Sequence, residues 1–471
     1  MKKLLFFFVS ILFIFQANLA YASRPLHLDS PGIILVEQTT GQVLCAVNEH
    51  ERMYPASMSK MLTALVVIDH LDLDAIVTVG PEIRNMPAGY QIGLHVEGEQ
   101  ITVRVLLKAL IIRSSNEAGR ILAINTIREV ENRRNIFYDE NTKRSFSVLL
   151  NQKSRSIGAY NSNFNNPYGL HSEFHFTTPY DMALITRAFM ENEILAEMAR
   201  MSYFEGNGLE NFPNPEGLGR NYSFLNTNQM LPGKLFGHPY IIGARTGFTT
   251  PAGHCFAAAA YNDGLQLVSV VMGGETPEQW QDTRRLIDFG FSNYRFREIT
   301  QADILVETAI IENPRLGDIN TLEIFSSESY TMLISHDDFR SLRSTLTFDP
   351  LKLVEDNNPE NQGLITLLAP IEEGSAVGFI SYFVGENLVF QADILAGRDV
   401  LERTFDSDMD YYLALFLANV FTVRALPYWF GLAGVIIGIF GLVAYIKSVK
   451  RINNRDRYRQ KPRRRSRYDR D

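Results

Sequence analysis

Residues 54–64 of the chain read YPASMSKMLTA, and they place Ser57 three residues before Lys60 at the start of an apolar run that continues to Ile68. In a helix, this spacing puts the hydroxyl and the amine on one face, one turn apart. A serine hydroxyl is a weak nucleophile without a neighbouring base. A lysine can act as that base when burial or a nearby cation keeps it neutral. One S-x-x-K arises readily by chance, so it indicates nucleophilic catalysis only together with other features of the sequence.

The two ends of the 471-residue chain indicate export and membrane attachment. Residues 1–22 combine two lysines, an apolar run and an Ala-x-Ala pattern, which predict a signal peptide, with a retained anchor as the alternative. Residues 426–446 carry no charge and are long enough to cross a bilayer, so they predict a transmembrane helix. Residues 404–425 are predicted to be a juxtamembrane helix, or else a buried one. The basic segment 447–471 predicts a cytoplasmic tail, with the catalytic part on the periplasmic side of the inner membrane.

The distribution of charge argues against a nucleic-acid partner. The net charge of −8 includes a tail with twelve basic and three acidic residues, and a signal peptide with two lysines. Removing the tail's +9 and the leader's +2 leaves −19 on residues 23–446, which is too acidic to attract phosphate backbones. Cys45 and Cys255 could pair in an oxidising compartment, but two cysteines make no disulfide framework, so we interpret them as buried residues of strands.

Between these ends the pattern predicts two domains. Residues 23–297 contain apolar strands near both of their ends, including a hairpin over 32–47, with helices between them. This arrangement favours an α+β or mixed α/β domain whose sheet is closed by both chain ends. Residues 298–403 contain short alternating strands at regular intervals, which predict a small all-β sandwich.

Two further short motifs follow the first in chain order. Ser114-x-Asn116 stands at the end of a predicted helix spanning 102–112, and Arg245-Thr246-Gly247 stands in a predicted strand. Each motif is weak alone. Their order, spacing and placement on helix, loop and strand make the combination specific.

The combination resembles the penicillin-recognising serine transferases, and within them the low-molecular-weight penicillin-binding proteins that are D-Ala-D-Ala carboxypeptidases. The resemblance covers roughly residues 23–400 and includes the PAS-x-x-K motif, the NPYGL stretch at 166–170 and the Ala-Gly pair at 252–253. It implies a β-lactamase/transpeptidase-like catalytic domain, followed by the β-rich domain and the C-terminal transmembrane helix.

The resemblance also implies catalytic roles. Ser57 would attack the carbonyl of the penultimate D-alanine and form an acyl-enzyme, and Lys60 would take the serine proton. Ser114, positioned with Asn116, would relay a proton to the departing amine. Backbone N–H groups of Ser57 and Phe248 would form the oxyanion hole.

The third motif implies the substrate-binding residues. Thr246 would hydrogen-bond the substrate carboxylate, and Gly247 would let the peptide lie along the strand edge. The family usually has lysine where this chain has Arg245. A guanidinium still offers a fixed positive charge and two parallel donors for a carboxylate, but it is bulkier and never neutral.

The implied partners are peptidoglycan stem peptides as substrates and β-lactams as covalent inhibitors, with no cofactor and no metal. Four alternatives are a D,D-endopeptidase, a β-lactamase, a Ser-His-Asp hydrolase and a weakened peptidoglycan-binding scaffold. The loop 165–175 offers Glu173 but not the acid-to-asparagine pattern of a class A β-lactamase, and no G-x-S-x-G occurs. His171 and His175 have the i, i+4 spacing of zinc ligands on a helix, but we expect them in a loop.

Overall fold

A computed structural model describes residues 26–84, 86, 92–132, 139–212, 219–354, 364–420 and 422–459. The predicted signal peptide and residues 460–471 of the basic tail lie outside the described residues. The chain divides into two compact units. The first contains the described residues up to Arg297 together with Leu333–Arg340, and the second contains Glu298–Met332 and the described residues from Ser341 onward.

The first 300 residues form ten strands and seven α-helices within the described ranges. In chain order these are β1 (Gly32–Glu37), β2 (Val43–Val47), α1 (Lys60–His70), β3 (Ile76–Thr78), β4 (Gln100–Thr102), α2 (Val103–Lys108), α3 (Asn116–Val130), α4 (Glu140–Ser156), α5 (Pro179–Glu191), α6 (Glu193–Arg200), β5 (Tyr203–Asn207), β6 (Asn221–Leu225), β7 (Ile241–Thr249), β8 (Gly253–Asn262), β9 (Leu265–Gly274), α7 (Glu278–Asn293) and β10 (Tyr294–Thr300).

The main sheet of the first unit is antiparallel, with the strand order β2-β1-β9-β8-β7. β1 therefore pairs with β9, which follows it by more than 200 residues. The prediction that strands from both ends of this domain share one sheet is confirmed, as is its α+β class. β7, which carries the third motif, is an edge strand of this sheet.

Both faces of this sheet are covered by apolar side chains, which explains why β1 reads as a continuous apolar run. Ile34 and Val36 belong to the core that includes the buried residues of α1, whereas Ile33 and Leu35 belong to the core on the opposite face, with residues of α7. Successive strand side chains point to opposite faces. A strand buried on both faces therefore carries apolar residues at every position.

The predicted helix over 102–112 differs from expectation at its C-terminal end. α2 begins at its N-cap Thr102, whose side chain accepts a hydrogen bond from the Val105 N–H, and it ends at residue 108. The chain continues as a π-helical turn, Ala109–Arg113, and Ser114 then adopts a left-handed conformation with φ of 68°. The wider π turn and the left-handed residue redirect the chain into α3.

The elements after residue 300 are mostly strands. They are β11 (Leu305–Glu312), β12 (Thr321–Ser326), β13 (Tyr330–Ser335), α8 (His336–Arg340), β14 (Leu342–Phe348), β15 (Thr366–Leu368), β16 (Ala376–Val384), β17 (Asn387–Ala396), α9 (Phe405–Val420) and α10 (Leu426–Arg459).

The second unit contains a six-stranded sheet with the order β14-β16-β17-β12-β11-β15 and an apolar core of its own. Only the β11–β15 pair is parallel among the described pairings of this sheet. The prediction of a β-rich domain is confirmed. The described hydrogen bonds join its six strands in one continuous order.

The two helices at the C-terminal end each contain a long apolar stretch, and none of the residues whose burial is described in them is buried. α9 has no buried residue among those described, which gives no support to the alternative of a buried helix. Within α10, the segment Leu426–Arg451 is long and apolar enough to cross a membrane, by length and composition. It includes the predicted span.

Candidate active site

The first motif lies where a short 3₁₀ turn, Ala56–Ser59, runs into α1. In 3₁₀ geometry the side chains of residues i and i+3 eclipse each other. Ser57 and Lys60 are such a pair, and the Lys60 Nζ lies 2.9 Å from the Ser57 Oγ. The structure therefore brings the two predicted residues into direct hydrogen-bonding contact.

The Lys60 side chain is fully buried at the base of this site. Its Nζ donates a second hydrogen bond to the carbonyl oxygen of Tyr168, at 2.8 Å. Burial holds the pKa of Lys60 well below 10.5, the charge of Arg245 lowers it further, and the charge of Glu117 acts in the opposite direction. A lysine with a lowered pKa can be neutral and can accept a proton from a neighbouring hydroxyl.

The loop at 166–170, called the lysine loop because its Tyr168 carbonyl binds Lys60, is fastened to the 3₁₀ turn at Ala56–Ser59, called the nucleophile turn after the predicted role of Ser57, by a contact that only glycine permits. Gly169 has a φ of +85°, and a Cβ at this position would overlap the carbonyl oxygen of Ala56. The Asn166 Oδ1 accepts the Gly169 N–H at 2.8 Å, and the Thr63 Oγ1 donates to the Pro167 carbonyl at 2.6 Å. These contacts fix the carbonyl group that holds the lysine.

The second motif lies in the turn between the π-helical residues and α3. Ser114 is half-buried in its left-handed conformation, and Asn116 is the half-buried first residue of α3. Between them, Ser115 caps α3, and its hydroxyl donates to the buried carboxylate of Glu117 at 3.0 Å. Glu117 also accepts two backbone N–H groups, those of residues 92 and 93, at 2.7 and 2.8 Å. Because the charge of Glu117 raises the pKa of Lys60, this turn borders the same site.

Arg245 is buried, and two of its three guanidinium nitrogens have no hydrogen-bond partner among the described residues. It is 1% exposed, and its Nη1 donates to the Ile111 carbonyl at 2.7 Å and to the Thr227 Oγ1 at 3.2 Å. Its Nε and Nη2 have no hydrogen-bond partner within the described part of the chain. Burial lowers the pKa of Arg245 to about 9, so it remains cationic at neutral pH. An unsatisfied buried donor pair is costly to leave without an acceptor. The Nε–Nη2 edge has the geometry that binds a carboxylate with two parallel hydrogen bonds.

The other residues of the third motif line the edge of β7. The Thr246 Oγ1 lies 3.1 Å from the Thr227 Oγ1. A Cβ on Gly247 would lie 2.9 Å from the Pro55 carbonyl oxygen, so glycine allows β7 to approach the nucleophile turn. Phe248 is 56% exposed at the rim. The elements that carry the three motifs are thus brought together around Ser57 and Lys60.

Sequence reasoning missed Thr227 and Glu117 as members of the site. Thr227 contacts both Arg245 and Thr246, but it stands in a polar loop with no motif of its own. Glu117 directly follows the second motif and could have been found as an acid in an otherwise apolar stretch. Among the described residues, no group of three His, Cys, Asp or Glu side chains could hold a metal ion.

The site and the fold define a serine hydrolase whose candidate base is a buried lysine. Residues 19–276 match the family model described as D-alanyl-D-alanine carboxypeptidase. The match covers more than half of the chain, so the chain belongs to this family of serine-type carboxypeptidases. The predicted family and enzyme class are confirmed.

Individual relatives extend the similarity beyond the catalytic unit. D-alanyl-D-alanine carboxypeptidase DacF of Bacillus subtilis is 25% identical over 384 residues, which cover 80% of this chain and 87% of that protein. DacD of Escherichia coli is 26% identical over 406 residues, which cover 84% of this chain and 93% of that protein. The crystal structure of DacD from Francisella tularensis, 20% identical, matches 82% of this chain and 97% of its own with a TM-score of 0.58. The structure of penicillin binding protein 5 from Haemophilus influenzae is 22% identical in sequence. It matches 81% of this chain and 100% of its own, with a TM-score of 0.54. These solved structures share the fold.

Proposed function

We propose that this protein removes the terminal D-alanine from peptides ending in D-Ala-D-Ala through an acyl-enzyme on Ser57. The observation that carries the proposal is the 2.9 Å contact between the Ser57 Oγ and the Nζ of a fully buried Lys60. A buried amine with a lowered pKa supplies the adjacent base that a serine nucleophile requires.

The chemistry divides into acylation and hydrolysis. The Ser57 Oγ attacks the carbonyl carbon of the penultimate D-alanine while its proton passes to the Lys60 Nζ. Backbone N–H groups of Ser57 and Phe248 stabilise the oxyanion that forms. The C–N bond then breaks as the departing D-alanine amine takes up a proton relayed through Ser114, held with Asn116. Water hydrolyses the ester and restores the serine.

Arg245 gives the reaction its preference for a chain end. Its Nε and Nη2 are buried and have no acceptor among the described residues, and their charge suits the free carboxylate of the terminal D-alanine, with Thr246 as a further hydrogen-bonding partner. A guanidinium, buried and lacking acceptors on this edge, gains most from a ligand that brings two oxygens and a negative charge. Peptides with a free C-terminus would therefore be preferred over internal bonds.

We further propose that the natural substrates are peptidoglycan stem peptides and that β-lactams acylate Ser57 covalently. The family membership and the structural likeness to a penicillin-binding protein support this assignment. The apolar segment of α10 supports attachment by a single span. The basic residues that follow it support a cytoplasmic tail, with the catalytic unit on the opposite side.

The experiment is to measure D-alanine release from a stem pentapeptide by the full chain in detergent. Ser57→Ala should abolish release, whereas Ser202→Ala, a change at an exposed serine, should leave it intact. Release that persists in Ser57→Ala would remove the serine mechanism. A folded wild-type protein that releases no D-alanine would favour the scaffold alternative instead.

A fluorescent penicillin distinguishes the remaining alternatives. A stable covalent adduct on wild-type protein, absent from Ser57→Ala, is expected for a carboxypeptidase. Rapid turnover of the penicillin would instead identify a β-lactamase, and cleavage of cross-linked dimers without D-alanine release would identify an endopeptidase.

A further inference from the structure

His175 is a buried histidine that lies between the nucleophile turn and the loop that holds Lys60. It is 1% exposed. Its Nε2 lies 2.8 Å from the Ser59 Oγ, and its Nδ1 lies 3.1 Å from the backbone nitrogen of Asn165. The proposed chemistry uses neither His175 nor Ser59, yet each is fully occupied by hydrogen bonds.

The partners at both ends favour the same tautomer. The Nδ1 faces two nitrogen donors, the backbone N–H of Asn165 at 3.1 Å and the Asn166 Nδ2 at 3.2 Å, and one acceptor, the Asn165 Oδ1 at 3.1 Å. Because the backbone N–H can only donate, we assign the Nδ1 as the acceptor and place the ring proton on the Nε2. The Ser59 Oγ also lies 2.8 Å from the carbonyl oxygen of Ala56, which can only accept. The Ser59 hydroxyl therefore donates to Ala56 and accepts from the Nε2. The two assignments agree, and they give one directed chain of hydrogen bonds from His175 through Ser59 to Ala56.

The end of this chain is a strained residue next to the nucleophile. Ala56 is not a glycine, yet its φ is +47°. Such a conformation is uncommon for residues with a Cβ and persists when surrounding contacts impose it. The hydrogen bond to its carbonyl is one such contact, and the packing of Gly169 against the same oxygen is another. The orientation of Ala56 determines where the side chain of Ser57 points.

The other ring nitrogen is directed at the lysine loop. Besides the Asn165 N–H, the Nδ1 lies 3.2 Å from the Asn166 Nδ2. The Oδ1 of Asn166 accepts the Gly169 N–H, and the carbonyl between these residues, that of Tyr168, accepts from Lys60. One imidazole thus contacts both the turn that carries Ser57 and the loop whose Tyr168 carbonyl accepts a hydrogen bond from Lys60.

We propose that His175 is a positioning residue that sets the contact between Ser57 and Lys60, by hydrogen bonds through Ser59 on one side and to the lysine loop on the other. This inference rests on the proposed function, because it assigns the acylation step to that pair. His175 does not touch the substrate or the reacting atoms. Its effect is on the rate of acylation, not on binding of the terminal carboxylate at Arg245.

The test compares His175→Leu, which has no hydrogen-bonding groups, with His175→Gln, whose amide offers one donor and one acceptor. The full chain in detergent is acylated by a fluorescent penicillin, and kcat and KM are measured for D-alanine release. We expect His175→Leu to slow acylation about 100-fold with KM within threefold of wild type, because ground-state binding is separate. His175→Gln should recover the rate to within about tenfold. Thermal melting confirms that each variant is folded.

A double-mutant cycle gives an independent measure of the hydrogen-bond chain. Ser59→Ala should slow acylation comparably, and the Ser59→Ala/His175→Leu double variant should be no slower than the slower single variant. Wild-type acylation rates in His175→Leu, equal losses in His175→Leu and His175→Gln, or additive effects in the double variant would each overturn the inference. If His175→Leu does not fold, the acylation rate of Ser59→Ala is the test. A wild-type acylation rate in Ser59→Ala would then overturn the inference. Failure of wild-type protein itself to be acylated would instead contradict the proposed function.

Discussion

At the scale of single residues, the site contains two buried cationic groups with different tasks. Lys60 and Arg245 lie close enough for the charge of one to lower the pKa of the other. The guanidinium keeps its charge at neutral pH, whereas the amine is the group that gives up its proton. The charge of Arg245 therefore favours the neutral form of Lys60.

Removing the guanidinium should weaken recognition of the free carboxylate. Arg245→Met is expected to lower kcat/KM for a D-Ala-D-Ala peptide about 100-fold, the size expected for truncating a buried charged partner. A peptide with an amidated C-terminus should be affected far less. Arg245→Lys keeps a charge but loses the paired donors, so its kcat/KM for the D-Ala-D-Ala peptide should lie between those of the wild type and Arg245→Met. Equal losses on both peptides would argue against a carboxylate site at Arg245.

The same residue should shift the pH dependence of acylation. The reaction needs neutral Lys60, so its rate is expected to fall as the pH drops through the pKa of Lys60. Arg245 lowers that pKa, so Arg245→Gln should raise it and move the acid limb of the pH–rate profile to higher pH. Acylation by a fluorescent penicillin, followed across the pH range, measures the limb. If the acid limb of the pH–rate profile is at the same pH in Arg245→Gln and the wild type, Arg245 does not set the pKa of Lys60.

At the scale of elements, the sequence predicted the Ser57–Lys60 pair but not how closely it is held. The i, i+3 spacing suits an α-helix and a 3₁₀ turn alike, and only the latter eclipses the two side chains. The left-handed Ser114 depends on the π turn before it, and the apolar pattern of residues 103–112 suits an ordinary α-helix equally well. Thr227 could not be predicted as a site residue, because only the folded chain brings it into contact with Arg245 and Thr246.

The glycine contact between the lysine loop and the nucleophile turn offers a sharp test. Gly169→Ala should abolish acylation and lower the melting temperature, because the added Cβ would overlap the Ala56 carbonyl. Gly233→Ala is the matched control, since Gly233 has a similar φ of +82° but open space around its Cβ position. It should cost about 1 kcal/mol of stability from backbone strain alone and leave acylation unchanged. Similar losses in both variants would mean that strain, not the contact, is responsible.

At the scale of the whole molecule, the chain combines a catalytic unit, a β-rich unit and an apolar helix. The sequence predicted all three because their hydrophobic patterns differ. The catalytic unit has both helical and strand patterns, the β-rich unit has alternating residues, and the C-terminal helix is a continuous apolar run. It could not predict which strands of the second unit pair with each other, since pairing partners are not encoded in the alternation of any one strand.

Attachment through α10 can be tested by truncation. The full chain should sediment with membranes and require detergent for release. A chain ending at residue 403 should stay in solution and keep its penicillin-binding activity, because the three motifs all lie in the first unit. Sedimentation of the truncated form in high salt and at alkaline pH would place the membrane contact elsewhere.

The strand order of the catalytic sheet also determines when the enzyme can first act. β1 has β9 as one neighbour, so the sheet cannot close until residue 274 has joined it. Pairings this distant in sequence form late, because a long loop must be closed first. The nucleophile turn is made within the first sixty residues, but the edge strand it packs against comes almost two hundred residues later. A growing or partly threaded chain therefore carries Ser57 before β7 and β9 are in place. We expect that an N-terminal fragment ending before residue 274 would not hydrolyse the substrate.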